Sequence, residues 1–165
     1  MYYAANPLHE AGKRPRAGAS AERTIDKVLL PVDGSVGALR AVAHLIASLG
    51  QGGRAEIHLL NVQPPLMSGD VGRTVTAEVV RRLRRTDGAK ALERARELLE
   101  RRGLRYRASV VLGSPAETIA RYADDHGIDR IVMGTRGMSA LGNLLLGSVA
   151  ARVVRAADVP VTLVK

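Results

Sequence analysis

From Asp26 onward, five short strand-like runs alternate with four stretches of helical spacing, and this alternation constrains the fold more than any other feature. The first run, Lys27–Val32, is apolar almost throughout and ends at Asp33-Gly34-Ser35. A continuous apolar run fits a strand buried on both faces, as in a parallel sheet. Residues 36–49 then place Leu39, Val42, Ala43, Ile46 and Leu49 at helical spacing, with Gly50 where a helix should stop. A second strand is expected at Ala55–Val62, closed by Gln63-Pro64-Pro65, and residues 66–73 read as a loop. Residues 74–102 form a long, charged and mostly helical stretch ending at Gly103, with Gly88 as a possible interruption. Leu104–Leu112 is the third strand. In Ser114-Pro115-Ala116-Glu117, an N-cap serine, a proline at the first helical position and a glutamate at the third make a capping box. That helix runs to about His126 and stops at Gly127. A fourth strand, Ile128–Met133, leads into Gly134 and a glycine-rich loop, then a helix at 148–156 and a fifth strand, Val159–Val164. The order β-α-β-α-β-α-β-α-β implies a parallel sheet with right-handed crossovers, a doubly wound α/β domain.

Composition narrows what such a domain can do. The chain has 165 residues with no Cys, Trp or Phe and only four Tyr, so its core must be aliphatic and rich in alanine. Disulfides, thiolate metal sites and a cysteine nucleophile are excluded. Stacking on aromatic rings, on which single-strand and RNA binders rely, is nearly unavailable. The net charge of +9 would allow duplex DNA, anionic membranes or phosphate-bearing ligands. Residues 73–107, however, carry twelve basic and five acidic side chains, so +7 of the +9 sits on one charged helix and the strand after it. A charge run of this kind is usually a solvated face, so nucleic acid is not the expected partner. Twenty-one of the 25 basic residues are Arg, which keeps docking of an acidic partner open.

Arg40 and His44, or Arg152 and Arg155, break the most apolar windows, so no membrane span is expected. The N-terminus lacks the apolar core of a secretory signal, and a cytoplasmic protein is the expectation. Residues 1–23 carry Asn6-Pro7, Gly12, Pro15, Gly18 and Ser20 with no period, and are expected to be a disordered tail with a basic cluster at Lys13, Arg14 and Arg16. The domain proper is expected to span 24–165.

In open parallel sheets, ligands bind at the carboxyl ends of the strands where the strand order reverses. Asp33-Gly34-Ser35 follows the first strand, and Val62 ends the second. After the fourth strand come Gly134-Thr135-Arg136-Gly137, nine further residues, and Gly147-Ser148 opening a helix. Glycines free backbone N–H groups for an anion, and a helix N-terminus favours phosphate. The Ser148 hydroxyl can donate to a phosphate or cap the helix, and Arg136 can add a charge-assisted contact. On these residues alone, a phosphate site and an ordinary glycine-rich turn with a serine cap both fit. No Walker A sequence and no dinucleotide fingerprint occurs. His9, His44, His58 and His126 are scattered and show no metal-site spacing.

Three stretches in order, Val28–Ser35, Gly134-x-x-Gly137-(nine residues)-Gly147-Ser148 and Val159–Val164, carry a resemblance to the universal stress protein family. The likeness runs from about Asp26 to Lys165, and its glycine spacing is similar to that of the ATP-binding members. It implies a Rossmann-like sheet of order 3-2-1-4-5, which brings Asp33 and Gly134 to one crevice. It further implies that Pro31 and Val32 line a nucleotide pocket and that Val62 reads adenine through its backbone. Gly134, Gly137, Gly147 and Ser148 would surround ribose and phosphates, with Met133 and Val149 as walls and Arg136 beside them. Asp33 would contact the nucleotide and help hold Mg or Mn. The implied ligand is ATP, with cyclic AMP as the alternative, and the implied role is sensing or regulation in a stress response. Among these residues only Asp33 could serve as a general base, so ATP hydrolysis is expected to be weak at most. The uncharged last strand would be an aggregation hazard at a sheet edge. That hazard and the resemblance together lead us to expect a homodimer through residues 159–165.

Overall fold

A computed structural model describes residues 25–50, 52–65, 76–138 and 146–165. The expected tail at 1–23 and loop at 66–73 lie outside the described residues. Nine elements alternate along the chain: β1 Asp26–Pro31, α1 Val36–Leu49, β2 Ala55–Gln63, α2 Ala77–Glu100, β3 Tyr106–Leu112, α3 Pro115–His126, β4 Arg130–Gly134, α4 Ser148–Ala156 and β5 Val161–Val164. All neighbouring strands are parallel, in the order β3-β2-β1-β4-β5. The protein is thus a doubly wound α/β domain, as the alternation predicts.

The continuous apolar runs are explained by burial on both faces. Val28, Leu30 and Val32 point into one core with Ile57, Leu59 and Val132 and with Ala41, Leu45, Leu92 and Leu99 of α1 and α2. Leu29, Ile131 and Met133 point the other way, against Ile119, Tyr122, Ala150 and Val153 of α3 and α4. Each fully buried aliphatic side chain contributes about 1.5–3 kcal/mol relative to exposure.

Three local expectations are corrected. Gly88 does not interrupt α2: it is buried in an unbroken helix of 24 residues. A Cβ there would press on Val110 of β3 and stand 2.7 Å from Asn61 Oδ1 of β2, so close packing on the sheet explains the glycine. The serine of the expected capping box, Ser114, occupies the N-cap of α3 but makes no side-chain cap bond, and its carbonyl instead accepts the Thr118 N–H at 2.9 Å. β3, β4 and β5 each begin two residues later than the sequence suggests, at Tyr106, Arg130 and Val161, where their paired register starts. Ser35 caps α1 by accepting the Ala38 N–H at 3.2 Å, and Gly127 ends α3 with φ of 58°.

Candidate functional site

The strand order reverses between β1 and β4, and β1 leaves the sheet there. Val32 N–H makes its last ladder bond, 2.8 Å to Leu60 O. Asp33, Gly34 and Ser35 then turn the chain into α1, with Gly34 at a φ of +87° that side chains rarely adopt. β2 runs on to Gln63 beside β3, and its buried Asn61 donates 2.8 Å to Val32 O, fixing the exit of β1.

β4 reaches one step further than a side chain would allow. A Cβ on Gly134 would lie 2.6 Å from the Gly37 carbonyl carbon and 3.0 Å from Ala38 N in the first turn of α1. Gly37 in turn leaves room for Arg136 O. The glycines at 134 and 37 therefore let the β4 exit and the start of α1 meet backbone to backbone.

Asp33 ties this junction together. Its Oδ1 accepts the Ser35 N–H at 3.0 Å, and its Oδ2 accepts the Met138 N–H at 2.9 Å, across 105 residues of sequence. A Cβ on Gly137 would collide with Oδ2. The base of the glycine-rich loop is closed by Gly147 N–H to Thr135 O at 2.7 Å and tied to β5 by Thr135 N–H to Val164 O at 2.9 Å. None of Gly134, Gly137 and Gly147 has positive φ. A left-handed backbone is therefore not why they are glycines; Gly134 and Gly137 are needed for close approach.

These contacts frame a cavity of about 340 Å³ at the carboxyl ends of β1 and β4. That volume lies in the usual range for small-molecule sites, roughly 300–1,000 Å³. Pro31, Val32, Asp33, Val62, Met133, Gly134, Arg136, Gly137, Gly147, Ser148 and Val149, all singled out in the sequence, line it. Ser35, Thr135, Leu60, Pro115, Ile119 and others line it as well. Ser35 and Thr135 adjoin residues flagged by the motifs, so proximity could have suggested them. Pro115 and Ile119 of α3 reach the cavity only through the fold, and no local pattern marks them.

The floor of the cavity at α4 is unusual in its bonding. Gly147 is the N-cap and offers no side-chain cap, and Ser148, the alternative cap, is instead the first helical residue. The amides of Ser148, Val149 and Ala150, and the Ser148 hydroxyl, donate to nothing among the described residues. All three residues line the cavity, and α4 has no acid in its first turn. Uncommitted amides at the positive end of a helix are suited to an anion. Pro31, Leu60, Val62, Ile119 and Met133 give the cavity apolar walls as well. The cavity thus combines donors suited to a negative group with apolar surface. Among the described residues, Asp33 is the only acid that lines the cavity, and no group of three or more His, Cys, Asp or Glu capable of holding a metal occurs.

Fold and cavity together define a doubly wound α/β domain with a cavity at its switch point that joins apolar walls to uncommitted helix amides. Residues 24–165 match the family model of the universal stress protein family, and the chain belongs to that family. It is 34% identical over 146 residues to a universal stress protein of Methanocaldococcus jannaschii, MJ0531, covering 87% of this chain and 84% of that one. Among solved structures it resembles MJ0577, with a TM-score of 0.69 and 29% identity over 85% of this chain and 95% of that one. It also resembles a universal stress protein in complex with cAMP, with a TM-score of 0.60 and 26% identity over 85% of this chain and 97% of that one.

Proposed function

We propose that this protein binds ATP in the cavity between β1, β4 and α4 and acts as a nucleotide-dependent sensor or regulator in a stress response. The observation that carries the reading is the set of three uncommitted α4 amides and the Ser148 hydroxyl, on residues lining a cavity that also has apolar walls. Adenine would lie against Pro31, Val62 and Met133, and the Val62 backbone, past the end of β1, would meet its edge. Ribose would sit at Asp33 and Gly134, and phosphates at Gly137, Gly147, Ser148 and Val149 with Arg136 beside them. The site fits a nucleotide-bound Mg or Mn through Asp33: its oxygens each accept one N–H and keep further lone pairs. A cation held by one protein carboxylate and substrate phosphates is usual for magnesium. That cation would neutralise phosphate charge.

Cyclic AMP is a second reading, favoured by the similar structure solved with cAMP. Among the described lining residues Asp33 is the one acid and there is no histidine, which supports a binding role with at most slow hydrolysis. No described helix is long and apolar enough to cross a membrane, and we place the protein in the cytoplasm. β5 is an edge strand of the sheet with all four residues half-buried, which supports a homodimer through residues 159–165. Sedimentation velocity should then report twice the chain mass.

Isothermal titration calorimetry with ATP and magnesium, followed by competition with cyclic AMP, tests the ligand. ATP should bind and resist displacement by equimolar cyclic AMP. No heat with either nucleotide would sink the reading, and preferential displacement would turn it to cyclic AMP. Nucleotide released from natively purified protein should carry adenine.

A further inference from the structure

A second hollow, of about 480 Å³, opens beside the first, and the segment 135–137 lines both. Its other wall is the start of α1, at Val36, Gly37 and Arg40, and Lys165 closes one side. Among the described residues no Asp or Glu lines it, whereas Arg40, Arg136 and Lys165 do. In the single chain all three are exposed, and none of their side chains forms an ion pair or hydrogen bond with a described residue. Three like charges around one concavity repel each other, and a bound anion converts that repulsion into attraction.

The start of α1 contributes in the same sense. It has no acid in its first turn. Its third amide, at Ala38, is taken by the Ser35 hydroxyl, but those of Val36 and Gly37 donate to nothing among the described residues. Orphan amides and the positive end of the helix dipole therefore face the same side as the three cations.

We propose that this hollow is a second oxyanion site that takes a phosphate group. Arginine supplies paired donors to such a group and lysine a compact charge. The phosphate could be the terminal group of a nucleotide seated in the first cavity or a free oxyanion. The chemistry is the same for both.

Arg40→Ala and Lys165→Ala test it, because both residues line this hollow and not the first. Arg54→Ala, before β2 at the opposite end of the strands, controls for net charge. Calorimetry would use inorganic pyrophosphate alone, and AMP and ATP as a pair. A free-oxyanion site predicts that pyrophosphate binds the unaltered protein and loses about tenfold in affinity in each of the two variants. A terminal-phosphate site predicts no pyrophosphate binding but an about tenfold smaller advantage of ATP over AMP, with AMP itself unaffected. The proposal is overturned if neither quantity changes in Arg40→Ala and Lys165→Ala, or if Arg54→Ala changes it equally. Should neither nucleotide bind, the nucleotide reading of the first cavity falls, and the pyrophosphate titration alone decides the second site.

Discussion

Replacing Gly137 by alanine should be harmful through one atom, Asp33 Oδ2, and not through helix or turn propensity. The new methyl group would collide with that oxygen. Asp33 is short, and it cannot swing aside freely, because Oδ1 holds the Ser35 N–H at 3.0 Å and Oδ2 the Met138 N–H at 2.9 Å. Relief therefore breaks the bond to Met138. A hydrogen bond to a charged group is worth about 1.5–3 kcal/mol when sheltered; Met138 is 77% exposed, so about 1–1.5 kcal/mol is expected. For a domain of this size that lowers Tm by roughly 3–6 °C. Asp33→Ala loses both bonds and should cost about 2–3 kcal/mol. In that background the oxygen is gone, so adding Gly137→Ala should cost almost nothing further. Urea unfolding of the two single variants and the double variant should give a coupling of at least about 1 kcal/mol. Additive losses would refute the account and place the need for glycine elsewhere in the loop.

Gly88→Ala, which ought to gain about 1 kcal/mol from helix propensity, should instead destabilise by about 1–2 kcal/mol in chemical unfolding, since its Cβ meets Val110 and Asn61. Ser148→Ala should leave Tm within about 1 °C, because the hydroxyl has no partner among the described residues, while weakening ATP about tenfold in calorimetry. His58 should make stability depend on pH. It is 2% exposed, with Nδ1 3.1 Å from the Tyr122 hydroxyl, Nε2 3.2 Å from Glu56 Oε1, and the His126 ring at 5.6 Å. Burial, with smaller contributions from His126 and Arg107, pushes it below its ordinary 6.5 despite Glu56. The unfolded chain then binds more protons, so stability falls as pH drops through 6.5 and levels below the folded value. The His58 bond, with Lys27 and Arg107, holds Glu56 below its ordinary 4.5, so a further loss follows as pH falls through that region. Thermal unfolding between pH 8 and 5 should show the first loss, and His58→Gln should flatten it; an unchanged slope would exclude His58 as its source.

Patterning and spacing along the chain suffice for the class of fold and for most of the cavity lining. Unbroken apolar runs such as Lys27–Val32 specify strands buried on two faces, and four helical intervals leave little alternative to a parallel sheet. Asp33, Gly134, Gly137 and Gly147 could be singled out because strand ends and glycine spacing are local signals. The meaning of those glycines was not local. That Gly137 makes room for Asp33, Gly134 for Gly37, and Gly88 for Val110 depends on approaches between segments far apart in the chain. Likewise, Pro115 and Ile119 reach the cavity, and Arg40, Arg136 and Lys165 share one hollow, only once α1, α3, β4 and β5 are assembled. Periodicity encodes which face of an element is buried, but a close backbone approach or a convergence of charges is a property of pairs of elements, and only their packing decides it.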